Sequence, residues 1–135
     1  MPVPHRIGVV GYSGQKFDES KARAILREAL FKRYLEHLEC AVVTGLTDLG
    51  IPALAYREAD KLGMILVGIA CKKAMDYKCY DVHKKIIVGD DWGDESETFL
   101  ANIDELLKVG GGKQSIAEFA KFTGPKEEFE LETLS

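Results

Sequence analysis

Residues 110–115 read Gly-Gly-Gly-Lys-Gln-Ser, entered from the apolar run Leu106-Leu107-Lys108-Val109 and left through a helical pattern over 116–122. Three glycines between a strand and a helix remove every Cβ from the junction, so the backbone can approach a ligand closely. The free N–H groups of the following helix then face that ligand, an arrangement that favours an anion and most often a phosphate. Two more glycine turns follow apolar runs, Gly11-Tyr12-Ser13-Gly14 and Thr44-Gly45. Three such turns, each at the end of a strand, point to one shared ligand site.

The rest of the chain alternates strand and helix patterns. Residues 6–11, 40–44, 64–70, 84–88 and 105–109 read as strands, and 64–70 (M-I-L-V-G-I-A) lacks polar alternation, as in a strand buried on both faces. Helices are expected over 19–38, capped by Asp18, then over 52–62, 94–103 and 115–123. This order implies an α/β fold with a parallel sheet of about five strands and helices on both faces. Ligands bind such sheets outside the carboxyl ends of the strands, where strand order reverses. Residues 1–124 are expected to form a single ligand-binding domain. Residues 125–135, rich in glutamate, are expected to form a flexible acidic tail.

Charge and cysteine usage narrow the function classes. A net charge of −4 provides no field for nucleic acid or anionic membranes, so neither is an expected partner. No apolar run approaches the ~20 residues of a membrane span, and no export leader is expected. Cys40, Cys71 and Cys79 form no CxxC pair, which suits reduced thiols and a cytoplasmic location. His5, His37 and His83 have no ligand spacing with them, so no metal site is expected, and all three are read as surface or interface residues. Gly8-x-x-Gly11-x-x-Gly14 is not the dinucleotide fingerprint, which disfavours a dinucleotide oxidoreductase.

Over residues 6–123, the pattern V-V-T-G-L-T-D-L-G-I-P-A-L-A-Y-R-E-A-D-K-L-G-M-I-L-V-G-I followed by G-G-K-Q-S-I-A-E resembles the SLOG superfamily. This Rossmann-like group includes the LOG phosphoribohydrolases, once called lysine decarboxylases. The resemblance implies a three-layer Rossmann-like fold, a nucleotide or nucleotide-derived ligand, and a homodimer or higher homo-oligomer. In the LOG signature P-G-G-x-G-T-x-x-E, Gly111 and Gly112 take the two glycines, Ser115 the threonine and Glu118 the glutamate. Gly110 stands in place of the proline and Gln114 in place of the third glycine. The Arg-Lys pair that serves catalysis in LOG enzymes has no counterpart in residues 94–105, which contain neither residue.

The candidate ligand-binding residues are Gly11, Tyr12, Ser13, Gly14, Gly45, Gly110, Gly111, Gly112, Lys113, Gln114 and Ser115. Tyr12 is a candidate to stack on a base and Ser13 to bond a phosphate or ribose. Glu118 is a ligand contact, the partner of Ser115 in a capping box, or the catalytic carboxylate that the resemblance implies. Asp48 is either a ribose ligand or a helix cap. Lys72, Lys73 and Lys78 either neutralise phosphates or form a solvated cluster. The acidic turn 90–95 suits a helix start and its dipole. Phe31, Tyr34 and Tyr56 look exposed enough to support self-association. Three functions follow: a nucleotide-binding protein with little or no catalysis, a LOG-like nucleoside monophosphate hydrolase, or an interaction protein whose pocket Gln114 has filled. No cofactor is expected beyond the nucleotide or phosphate ligand.

Overall fold

In the computed structural model, which describes residues 3–134, the strands β1 (His5–Gly11), β2 (Cys40–Thr44), β3 (Ile65–Ala70), β4 (Lys84–Ile87), β5 (Glu105–Val109) and β6 (Lys126–Phe129) form one parallel sheet. Its spatial order is β4-β3-β2-β1-β5-β6. The chain therefore winds outward from β1 to β4, returns to place β5 on the other side of β1, and ends at β6. The order reverses between β1 and β5, which pair from Ile7↔Glu105 to Gly11↔Val109. Helices α1 (Glu19–Glu36), α2 (Gly50–Lys61), α3 (Ser96–Ala101) and α4 (Lys113–Lys121) connect the strands.

Side chains alternate across the sheet with the strand period of two. Ile7, Val9, Val42, Leu66 and Leu107 join one core with Leu26 and Leu30 of α1 and Tyr56 of α2. Val10, Val43, Ile69 and Leu106 join the other with Phe99 of α3 and Phe119 of α4. These two cores make three layers, as expected for a Rossmann-like fold. Asp18 caps α1 as anticipated, accepting from the Lys21 N–H at 3.1 Å. No helix of the described residues is long and apolar enough to cross a membrane.

Four local expectations are corrected. First, residues 126–129 are β6, the sixth strand of a sheet expected to hold about five, and not part of a flexible tail. The carboxylates there are partnered: Glu128 accepts from buried Lys108 at 2.8 Å, and Glu127 lies 3.3 Å from Arg33. Beyond them Leu131, 5% exposed, packs into the first core, and Phe17 bridges to Thr133. Second, Tyr56 is fully buried and is not a surface aromatic. Its hydroxyl donates to the Val67 carbonyl at 2.9 Å, within reach also of Thr44 O, and accepts the Leu46 N–H. This holds the turn after β2, in which Leu46 takes φ 66°. Third, Asp48 does not cap α2; it pairs with Arg57 and Lys78 at 3.4 Å each. Fourth, α4 begins at Lys113, two residues before the expected Ser115.

Leu131→Ala tests the assignment of the C-terminal segment. Emptying a buried leucine site costs about 2–5 kcal/mol, so the urea midpoint should fall markedly. An unchanged midpoint would mean that the segment is not docked.

Candidate functional site

The carboxyl ends of β1, β2, β3 and β5 open into a cleft of about 210 Å³, placed where the strand order reverses. One wall comes from Gly11, Ser13 and Gln15 after β1, and the floor from Thr44, Gly45, Thr47 and Ala70 after β2 and β3. The other wall comes from Gly112, Gln114, Ser115 and Glu118 of α4 and its entry, and from Trp92, Glu95 and Phe99 around α3. Of the candidates read from sequence, Gly11, Ser13, Gly45, Gly112, Gln114, Ser115 and Glu118 meet here.

Others do not. Tyr12, Gly110 and Gly111 line a neighbouring groove beside β6, with Lys108 and residues 128–133. Gly14 and Lys113 line neither. The ring of Tyr12 lies over Gly110, where a Cβ would fall 2.3 Å from the ring, and packs beside Phe17. Tyr12 is therefore a packing residue beside β5 and not a base-stacking residue in the cleft. Gly110 (φ 61°) and Gly111 (φ 123°) serve the turn itself, since other residues rarely adopt these angles. Gly112 differs from both: only Gln15 Nε2 lies near its missing Cβ, at 3.8 Å. Lys72 and Lys73 pair with Asp90 and Asp91 and stay off the cleft.

Gly112 is the N-cap of α4, and no side chain caps that helix. The capping box of Ser115 and Glu118 is thus not formed. Ser115 Oγ instead donates to the Gly11 carbonyl at 3.4 Å, tying the two glycine turns together. Glu118 accepts from Ser96 Oγ at 2.8 Å and from Gln114 Nε2 at 3.4 Å. Gln114 Nε2 also reaches Glu95 at 3.3 Å, and Glu95 accepts the Gly93 N–H at 2.7 Å. Two carboxylates, Glu95 at 5% and Glu118 at 6% exposure, therefore stand in the same wall. Burial pushes the Glu118 carboxyl up from its ordinary value; the hydrogen bonds from Ser96 and Gln114 oppose this, and the charge of Glu95 adds to it. Gln114 itself is exposed and leans over both acids at the rim.

Sequence reasoning missed Glu95 and Trp92 as cleft residues, because the turn 90–95 reads as an ordinary helix start. Asp94 plays that ordinary part, accepting from the N–H groups of Asp90 and Asp91. Trp92 is 49% exposed at the mouth of the cleft, with the Tyr77 ring 6.0 Å away.

No family model matches this chain, and no curated protein does. Solved structures do. The molybdenum cofactor binding protein from the phototrophic bacterium Rippkaea orientalis superposes with a TM-score of 0.78 at 19% identity, covering 96% of this chain and 78% of that one. The molybdenum cofactor carrier protein from Chlamydomonas reinhardtii gives 0.75 at 22% identity, over 93% and 76%. TM1055, a structural genomics target, gives 0.70 at 23% identity, over 90% and 76%. The shared feature is the fold. It is the three-layer Rossmann-like fold, and the likeness spans nearly the whole of this chain.

The raised Glu118 carboxyl links stability to pH. The folded protein retains a proton there at pH values where the unfolded chain, near the ordinary 4.5, has released it. The stability from this group is complete below that value and is lost as pH rises towards the raised folded value. Glu118→Gln removes the loss, so the variant should melt higher than wild type at pH 7, with the gap narrowing as pH falls to the ordinary carboxylate range. A gap independent of pH would contradict the assignment.

Proposed function

We propose that this chain binds a phosphorylated, nucleotide-type small molecule in the cleft between β1 and β5 and holds it with little or no turnover. The observation that carries the reading is the uncapped start of α4 beside the open Gly112, at the point where strand order reverses. The free N–H groups of a first helical turn and the helix dipole favour a phosphate there. The same wall also complements a ring. Glu95 and Glu118 accept hydrogen bonds from ring N–H or amino groups, and Trp92 covers a ring face. The ligand is thus read as bipolar, with its anion at the first turn of α4 and its donors at Glu95, which precedes α3, and Glu118, further along α4.

The fold neighbours favour a second ligand for the same geometry. Two of them are molybdenum cofactor binding or carrier proteins. That cofactor is a phosphorylated pterin, so it offers a phosphate, ring donors and a flat face together. It would be cargo here, with its phosphate at residues 112–115 and its ring towards Trp92, Glu95 and Glu118. LOG-like hydrolysis has less support. The lining of the cleft includes two carboxylates and no Arg, Lys or His to meet the charge that develops when a glycosidic bond breaks. Gln114 leaning over the acids fits the degenerate-pocket alternative, yet it leaves the first-turn N–H groups of α4 without a side-chain cap. Membership of the SLOG group, self-association through the exposed Phe31 and Tyr34 of α1, and a cytoplasmic location belong to this proposal.

Trp92 is the single tryptophan, so its fluorescence reports on the cleft directly. Titration with nucleoside monophosphates, ADP-ribose and the molybdenum cofactor should give saturable quenching by at least one of them, and weaker quenching by the phosphate-free analogue. Gly112→Asp supplies a favourable N-cap to α4 but sets a negative charge where the phosphate would sit. Its expected result is unchanged or slightly raised stability, with affinity reduced about tenfold or more, or about 1.4 kcal/mol. Absence of binding by every ligand at millimolar concentration would overturn the proposal.

A further inference from the structure

At the other edge of the sheet, far along the strands from the cleft, His5 opens β1, Glu105 opens β5, and His37 follows the last turn of α1. The rings of His5 and His37 stack with centroids 3.7 Å apart and planes within 9°. His5 Nε2 bonds Glu105 Oε2, and Arg33 Nε donates to the other carboxylate oxygen at 2.8 Å. One ring nitrogen from each histidine and one oxygen of Glu105 all lie within 4.8 Å of one another. The three residues are half-buried, and they come from segments 32 and 68 residues apart in sequence.

We propose a divalent transition-metal site of two imidazoles and one carboxylate, formed by His5, His37 and Glu105 once the His37 ring turns out of its stack with His5, since the in-plane lone pairs of parallel rings do not meet at one ion. Three features support it. Imidazole and carboxylate together suit zinc, cobalt or nickel, and three protein ligands leave a further position for water. Arg33 holds Glu105 Oε1, the second-sphere bond that orients a ligating carboxylate. His37 is the C-cap of an 18-residue helix, whose terminal partial negative charge favours a cation. Metal entry displaces the proton shared by His5 Nε2 and Glu105 Oε2 to solvent, because a coordinating imidazole nitrogen must be unprotonated. The bound ion ties the end of α1 to the starts of β1 and β5, so its role is to clamp the fold. The site is independent of the cleft and of any ligand held there.

Zinc titration of tag-free, full-length protein by calorimetry tests this, with cobalt absorption to identify the ligands. One equivalent of zinc is expected, accompanied by a higher melting temperature. His37→Ala and His5→Ala should each weaken binding at least about tenfold and abolish the zinc-dependent rise, while His83→Ala changes neither. Cobalt should give ligand-field bands with no thiolate charge-transfer band. Absence of stoichiometric binding, equal affinity in His37→Ala, or a thiolate band implicating Cys40 would each overturn the site.

Discussion

The close approach of β1 and β5 at their carboxyl ends governs this molecule. A Cβ on Gly11 would lie 2.3 Å from the Val109 carbonyl and 2.7 Å from Ile51. Glycine is therefore required for β1 to end beside β5 while α2 packs across both. Once the two ends meet, the loops that leave them must diverge, one towards α1 and one towards α4. The cleft is the space between those departing loops. Ser115 bonding the Gly11 carbonyl closes its base with one side chain. The glycine turns are thus first a solution to packing and second an opportunity for binding.

The electrostatics of the cleft follow from what each loop brings. The start of α4 contributes partial positive charge from its backbone, which needs no counter-ion and carries no proton. The entry to α3 contributes Glu95 and the body of α4 contributes Glu118, both partnered by hydrogen bonds from Gln114, Ser96 and the Gly93 N–H. The lining of the cleft includes no cationic side chain between these two poles. On the reading proposed above, a ligand presents its acceptors to the helix start and its donors to the carboxylates. The proposal of little or no turnover rests on the same lining, because stabilising a developing charge requires a group placed beside it.

Much of this was legible in the sequence, and the reasons differ by element. The strands from β1 to β5 announce themselves by short apolar runs bounded by glycine, and their alternation with helices specifies a parallel sheet. Seven of the candidate residues meet in the cleft because each belongs to a strand end or to the start of α4, positions that topology brings together. β6 was hidden by its composition. A run of glutamates reads as solvated until their partners are known, and Lys108 and Arg33 lie 20 and 94 residues away from Glu128 and Glu127. Tyr12 misled because an aromatic in a glycine loop suggests a ligand, whereas its ring covers the side-chain-free surface of Gly110. Glu95 and the pairing of His5 with His37 left no local signal, since both depend on contacts between distant segments.

The two edges of the sheet present different chemistry. At the amino-terminal edge polar side chains bridge elements: Arg6 to Asp104, Arg33 to Glu105 and Glu127, and His5 to Glu105. Of these, Arg6–Asp104 is an exposed pair, a kind that contributes about 0–1 kcal/mol. Arg33 is different, because it is buried and also donates to the Ala29 carbonyl; its loss would strand Glu105, whose carboxyl its hydrogen bond helps hold below the ordinary value against burial. At the carboxyl-terminal edge the chain instead presents glycines, an uncapped helix start and an exposed tryptophan. Ordering there by a ligand costs less when the opposite ends of the same strands are already fixed.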